Sequence, residues 1–518
     1  MFRRGLSLAL ATVVLVVGGM ALVTPARSAS PAEQSAPSPA MLLETEASAA
    51  LLVRGRAEVL SGSFEVGEET FYELAGRADG RPAAYHHLAS TSLLRVLMFD
   101  REEDYDQFFQ RSDSLRKLLK DERKSPGRAF LEGETDFQRA LAWSKQGHYV
   151  RAAMAGVSSY RALSNLLDDE PEFWEAYKSL GIVHATLGTL PRRYRRFLSV
   201  FGFDTDLEAG LDELEVAINY SAYGREESLL FLSILDSFEL PSRVDAAQTL
   251  TGLRQEFSGS PLFGAVLLDA LLRSRRVSEA EALLVELRNP APGVVRLEYL
   301  EYFQAESHFK QERWTKASQT YAQYLASHKG NAYRAVSTLN LGLSLEMSGD
   351  RLEAERVYAS VIAGRDMDAD EASERQARLL LEAPMSPERR QLLEARMAHD
   401  RSDYVRADSL LTVLASQTAE RGRAFLAEVA YRHGRVFDVT ERDRQALTQY
   451  QLAIDRPGDP SAKWGPYSLF YRGRIQDEAG LRVEARKSYR AVLDYKPSYD
   501  YSGTNEQRAR FALERLDD

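Results

Sequence analysis

The chain has 518 residues, 44% of them hydrophobic and 27% charged, with a formal net charge of −10. That is an ordinary globular composition, long enough for two or three domains or one extended repeat array, and its acidity argues against general affinity for nucleic acid or an anionic membrane surface. Cysteine is absent, which excludes disulfides, thiol nucleophiles and thiolate metal sites.

Arg3 and Arg4 precede an apolar run from Gly5 to Val23, and small residues follow at Ala26, Ser28 and Ala29. This order describes a secretory signal peptide over residues 1–29. The run would also just span a bilayer, so an uncleaved N-terminal anchor is the alternative; Gly18, Gly19 and Pro25 favour cleavage. Residues 30–40, SPAEQSAPSPA, read as a flexible tether. With no lipobox cysteine, the simplest expectation is an exported protein of a bacterial periplasm, with no integral membrane segment after signal cleavage.

Beyond the tether nearly every segment carries helical periodicity, and none of useful length alternates as a half-buried strand would. Met41 to Leu60, Ala83 to Met98 and Tyr105 to Leu119 predict the first helices, separated by Gly62 and the acidic turn from Asp100 to Asp104. Ala140 and Ala152 stand twelve apart, with Gly147 five before the second. Gly181 opens a similar helix, but twelve residues on stands Arg193 instead of a small residue.

From about residue 298 a pattern sets in. A small residue is followed twelve positions later by alanine and four after that by tyrosine. It reads Ala305/Ala317/Tyr321, Gly342/Ala354/Tyr358, Gly434/Ala446/Tyr450 and Gly473/Ala485/Tyr489, with Ala395/Ala407/Leu411 a weaker copy. This resembles the tetratricopeptide repeat, in which two antiparallel helices touch at small residues and an aromatic fills the next gap. Gly349 and Gly480, five before their alanines, suit the turn between paired helices. The resemblance implies an all-α fold, an α-solenoid superhelix of helix-turn-helix repeats, with a divergent region over 41–297 and regular repeats over 298–518. More remotely, Leu190-Pro191, Phe197-Leu198, Gly202-Phe203, Asp206, Gly210-Leu211 and Leu214, with Tyr499-Asp500-Tyr501 before the last helix, resemble the tetratricopeptide repeat protein 39 family, which includes the inclusion-body clearance proteins. That resemblance implies a binding or adaptor role and supplies no catalytic residues.

Glu306-Ser307-His308-Phe309 begins like the catalytic motif of lytic transglycosylases, but Glu306 also simply follows the small residue of a repeat, which is the weightier reading. Asp366, Asp368 and Asp370 start like a calcium loop, yet positions 6 and 12 hold Glu371 and Ala377 where glycine and glutamate are required; a solvated acidic loop is expected. His86 and His87 are adjacent, point in different directions on a helix and form no metal set. Arg192, Arg193, Arg195 and Arg196 are a compact basic cluster, offset by acidic residues shortly downstream. No catalytic residue, metal or cofactor is expected, and the chain is read as no enzyme.

The expected function is that of an exported, non-catalytic scaffold or adaptor holding a protein or peptide partner in a concave groove. The alternative is a carbohydrate-handling protein, either a cell-wall glycan enzyme or a helical-repeat glycan-binding subunit of an outer-membrane uptake system. One residue after the small position three repeats carry Arg396, Arg435 and Arg474, with Tyr431 and Phe470 one turn earlier in the last two. Stacked guanidinium forks flanked by aromatics suit a carboxylate or acidic peptide. The plainer reading is two i,i+3 ion pairs, Arg435–Asp438 and Arg474–Asp477. On either, replacing both arginines by alanine is expected to leave stability almost unchanged.

Overall fold

A computed structural model describes residues 39–188, 206–238, 240–328, 330, 332–362, 368–416, 422–456, 463–497 and 499–517. The signal segment, most of the tether, the cluster from Arg192 to Arg196 and the signature from Leu190 to Phe203 lie outside the described residues. Among the described residues the chain is all-α: twenty-four α-helices follow a short 3-10 turn at Pro39–Met41. None is long and apolar enough to cross a membrane. Ala40 and Met41, at the end of the expected tether, are buried.

The chain divides into two compact units. One takes the described part of Met1–Ser274 with Ser278–Leu300 and Lys329–Ala332; the other takes Arg275–Val277, Glu301–His328 and Tyr333–Asp518. In the N-terminal unit the helices are α1 Glu46–Leu60, α2 Phe64–Ala75, α3 Arg81–Phe99, α4 Glu102–Asp121, α5 Pro126–Lys145, α6 Tyr149–Asp169, α7 Glu175–Gly188, α8 Leu207–Tyr220, α9 Arg225–Ser237, α10 Ala246–Glu256, α11 Pro261–Arg273 and α12 Val277–Leu287. In the C-terminal unit they are α13 Leu300–Lys310, α14 Trp314–Ser327, α15 Arg334–Met347, α16 Arg351–Ala359, α17 Asp368–Glu382, α18 Pro387–Asp400, α19 Tyr404–Ser416, α20 Arg423–Val439, α21 Asp443–Asp455, α22 Trp464–Glu478, α23 Arg482–Leu493 and α24 Ser502–Asp517. Most consecutive helices pack on one another, and first helices of successive pairs, such as α20 and α22, also touch. This is the tetratricopeptide-like arrangement.

The joint within each pair is steric. A Cβ added to Gly342 would sit 2.4 Å from the Tyr358 ring, one at Gly434 2.6 Å from Tyr450, and one at Gly473 2.7 Å from Tyr489. Only a missing side chain lets the ring lie that close, so the small residue and the tyrosine are one device. Ala317, Ala354, Ala446 and Ala485 are fully buried beside it. The N-terminal unit uses the same device in different letters: Gly55, Gly67 and Phe71 keep the spacing, and a Cβ at Gly55 would lie 2.5 Å from the Phe71 ring. Between α7 and α8 the contact is backbone on backbone, with a Cβ at Gly210 falling 2.4 Å from Ala185 N.

The turns are equally regular. Gly349 and Gly480 take φ of 94° and 76°. The equivalent residues of other pairs are left-handed even where they are not glycine: Glu312 (φ 59°), Ser402 (63°) and Glu441 (57°). Gly62, Gly147, Gly259 and Arg275 hold the same conformation five positions before Gly67, Ala152, Gly264 and Ala280. Entry to α1 is fixed from a distance. The carboxylate of Asp79 accepts hydrogen bonds from Ser48 Oγ (2.6 Å) and from the backbone N–H groups of Glu44 and Thr45 (both 2.9 Å).

Candidate functional site

In two repeats the spacing places an acidic residue four positions after the small one, where the tyrosine hydroxyl of the next helix arrives. Tyr358 Oη donates to Glu346 Oε2 and Tyr450 Oη to Asp438 Oδ2, both at 2.8 Å. Tyr321 Oη donates to Glu306, which also accepts from Asn340 Nδ2. Glu306 is thereby bonded inside a helix pair, as its place in the repeat implies. Burial, reinforced by these carboxylates, pushes the Tyr321 and Tyr358 hydroxyls up.

The arginines of α18, α20 and α22 do not behave alike. Arg435 is almost covered: its guanidinium lies 3.8 Å from the centre of the Tyr471 ring and donates to Asp438 Oδ2 at 3.1 Å. Burial works against its charge, but Tyr471, Tyr450, Tyr431 and Asp438 outweigh burial and raise its pKa. Arg474 does not pair with Asp477. It reaches back to the preceding repeat and donates to both oxygens of Asp438, at 2.7 and 2.8 Å, while Asp477 receives Arg515 from α24. Asp438 therefore binds two guanidinium groups and one phenol. Stripping Arg435 would expose a buried ionic centre, so the expectation that the double alanine replacement leaves stability unchanged does not hold.

Tyr431 stands among the rings of Trp464 (5.3 Å), Tyr467, Tyr471 and Tyr450, and Phe470 is a core residue against Tyr489. Arg396 is the most exposed of the three arginines, with a long contact of 3.8 Å to Asp400. Asp400 also lies 3.4 Å from Lys310, and Lys310, His399 and Arg396 outweigh its burial and hold its carboxyl far below the usual range.

One residue of this face was missed. Lys463, just ahead of α22, puts its ammonium 4.6 Å from the Tyr501 ring and 5.4 Å from Trp464. Among the described residues no carboxylate lies within ion-pair distance of it. Burial first, then the neighbouring Arg432, lower its pKa to about 8; Arg396 acts the same way, while Asp500 and Glu428 partly offset them. A lone lysine among Gly, Pro and Trp gives no periodic signal, so only the fold reveals it.

The N-terminal unit holds a second polar centre that the sequence conceals. Lys178 and Ser179 on α7 both donate to Glu134 on α5. Glu175 accepts from Ser221 Oγ and from the N–H groups of Ala222 and Tyr223. Arg56 donates to Glu226 Oε2 at 3.1 Å and to the Tyr223 carbonyl at 2.9 Å. His86 and His87 do not diverge into separate surroundings: both are buried, their rings meet edge to face at 4.8 Å, and both line the same cavity. Among the described residues no three His, Asp or Glu groups are placed to hold a metal ion. Asp366 and Met367 lie outside the described residues; Asp368 to Asp370 open α17 instead of continuing a loop, and Ala377 is buried in the core.

No family model matches the chain, and no curated protein matches it. Among solved structures it is similar to that described as the APC/C hetero-tetramer Cut9-Hcn1, at 12% identity over 89% of this chain and 96% of that one, with a TM-score of 0.25. It is also similar to a monomeric mutant of IFIT1 with Gppp-AAAA, at 14% identity over 90% and 94%, with a TM-score of 0.29. The superposition at such scores is loose, and the helical pairing within the chain itself defines the fold.

Proposed function

We propose that this chain is an exported, non-catalytic scaffold whose C-terminal unit holds an acidic segment of a protein or peptide partner against the face formed by α18, α20 and α22. The observation that carries this reading is Lys463, an ammonium walled by aromatic rings, beside Arg396 and Arg432 and without a carboxylate in contact. A desolvated cation repelled by arginines gains most from an incoming carboxylate. Arg435 and Arg474 already share Asp438, so they set the shape of this face and Arg396 with Lys463 receives the partner. The carbohydrate reading would call for exposed aromatic platforms with converging carboxylates. The carboxylates that do converge, Glu134, Glu175 and Glu227, are in the N-terminal cavity, and the first two are bonded within the chain.

Affinity capture from the native envelope with mass spectrometry tests the proposal. Arg396→Ala with Lys463→Ala should lose the partners that the wild type recovers, at a matched melting temperature. Full recovery by that double variant would overturn it.

A further inference from the structure

The cavity of the N-terminal unit, about 120 Å³ in volume, lies between α1, α3, α5, α7 and α9. Its walls are mainly apolar, with Leu93, Phe130, Phe137, Ile182 and Phe231 among them. Against this background four buried side-chain atoms have no hydrogen-bond partner: His86 Nδ1, His87 Nε2, Gln138 Oε1 and Glu227 Oε2. All four residues line the cavity. The histidines and Gln138 are at least nine-tenths buried, at 4, 5 and 6% exposure. Buried polar atoms left unbonded are costly, so four of them on residues that line one cavity point to a ligand that bonds them.

Their chemistry is one-sided. Gln138 donates its Nε2 to Ser90 at 2.9 Å, which fixes its oxygen as the free acceptor. Glu227 Oε2 is an acceptor, and each neutral imidazole can present a nitrogen lone pair. The cations of the wall are already engaged, Arg56 with Glu226 and Lys178 with Glu134, and Glu175 takes three donors. Glu227 has no cation within ion-pair distance among the described residues; burial raises its pKa, while the nearby Arg56 and Lys178 favour its charge. We propose that this cavity is a binding site for a compact alkylammonium group, its charge on Glu227 with Gln138 and the two histidines as further acceptors, and its carbon body on the leucine and phenylalanine walls. An apolar protein cavity of roughly 150 Å³ accommodates benzene, so a chain of four or five carbons is the right scale. The group can come from a free amine or from a lysine side chain.

The test uses the folded chain, n-butylamine as probe, and butan-1-ol and butyrate as neutral and anionic counterparts, read by calorimetry and thermal shift at pH 7. The amine should bind saturably and raise the melting temperature, with butan-1-ol at least about tenfold weaker, as the loss of a charge-assisted hydrogen bond implies, and butyrate without effect. Glu227→Gln should weaken the amine by about tenfold and leave the alcohol unchanged. Nα-acetyl-lysine methylamide separates the sources: its binding assigns the site to a partner's lysine, and binding of butylamine alone assigns it to a free amine. Equal binding of amine and alcohol, preference for butyrate, or no saturable binding of any probe would overturn the proposal from the wild-type protein alone. Unaltered amine affinity in a folded Glu227→Gln variant would do the same.

Discussion

The two units join their helices with the same parts and fill the space between pairs differently. In the C-terminal unit the filler is a repeated phenol, and in three repeats its hydroxyl ends on a carboxylate of the preceding helix: Tyr321 on Glu306, Tyr358 on Glu346 and Tyr450 on Asp438. In the N-terminal unit that register is broken, and ionisable groups from α1, α5, α7 and α9 meet around a cavity. A tyrosine satisfies both the apolar gap and the polar tip in one residue. Where it is absent, several charges are matched to each other around a cavity.

Four experiments probe this contrast. The largest effect is expected in the N-terminal unit, where Lys178→Met leaves Glu134 buried without its cation; urea unfolding should show a loss of about 3–5 kcal/mol. Adding Glu134→Leu should restore most of it, and additive losses in the pair would show that the two groups do not act together. In the C-terminal unit Arg435→Met removes one of two guanidinium groups from Asp438, and Arg474 remains. The loss should be smaller, about 2 kcal/mol; no measurable loss would mean that Arg435 only decorates its helix.

The third is a pH effect. The Lys463 ammonium is lowered to about 8 in the fold, against about 10.4 in an unfolded chain. Between these values the unfolded state holds the extra proton, so stability should rise with pH across that window, by on the order of 3 kcal/mol. A profile for Lys463→Met that rises as steeply as the wild type would refute this account. The smallest is a gain: Glu441→Gly should add about 0.5–1 kcal/mol by relieving its left-handed backbone, while Gly349→Ala should lose a similar amount. Thermal melts of the two variants with opposite signs would support a shared turn, and equal signs would not.

How far the sequence could be read follows from the same contrast. The Gly342/Ala354/Tyr358 type of triplet was legible because close approach of a ring demands a residue without a side chain, and that demand recurs at one spacing. Gly55/Gly67/Phe71 meets the same demand and was passed over because glycine replaces alanine and phenylalanine replaces tyrosine. At the arginines the reading stopped at the helix itself. An i,i+3 rule finds Arg435–Asp438 but cannot find Arg474 on Asp438, which comes from the neighbouring repeat. The N-terminal cavity was illegible for a similar reason: Glu134, Lys178, Glu175 and Glu227 are scattered over three helices and share no period.

The left-handed turn residues carry a consequence for how such a molecule changes over time. Glu312, Ser402 and Glu441 hold the conformation that Gly62, Gly349 and Gly480 hold freely, so packing of the two helices, and not the local residue, dictates the turn. A copy can lose its glycine, and then its tyrosine, while the scaffold around it enforces the shape. Each loss erases a letter by which the repeat could be recognised and costs only a fraction of the total stability. In such a chain the repeat is legible in backbone torsion angles where residue identities no longer show it.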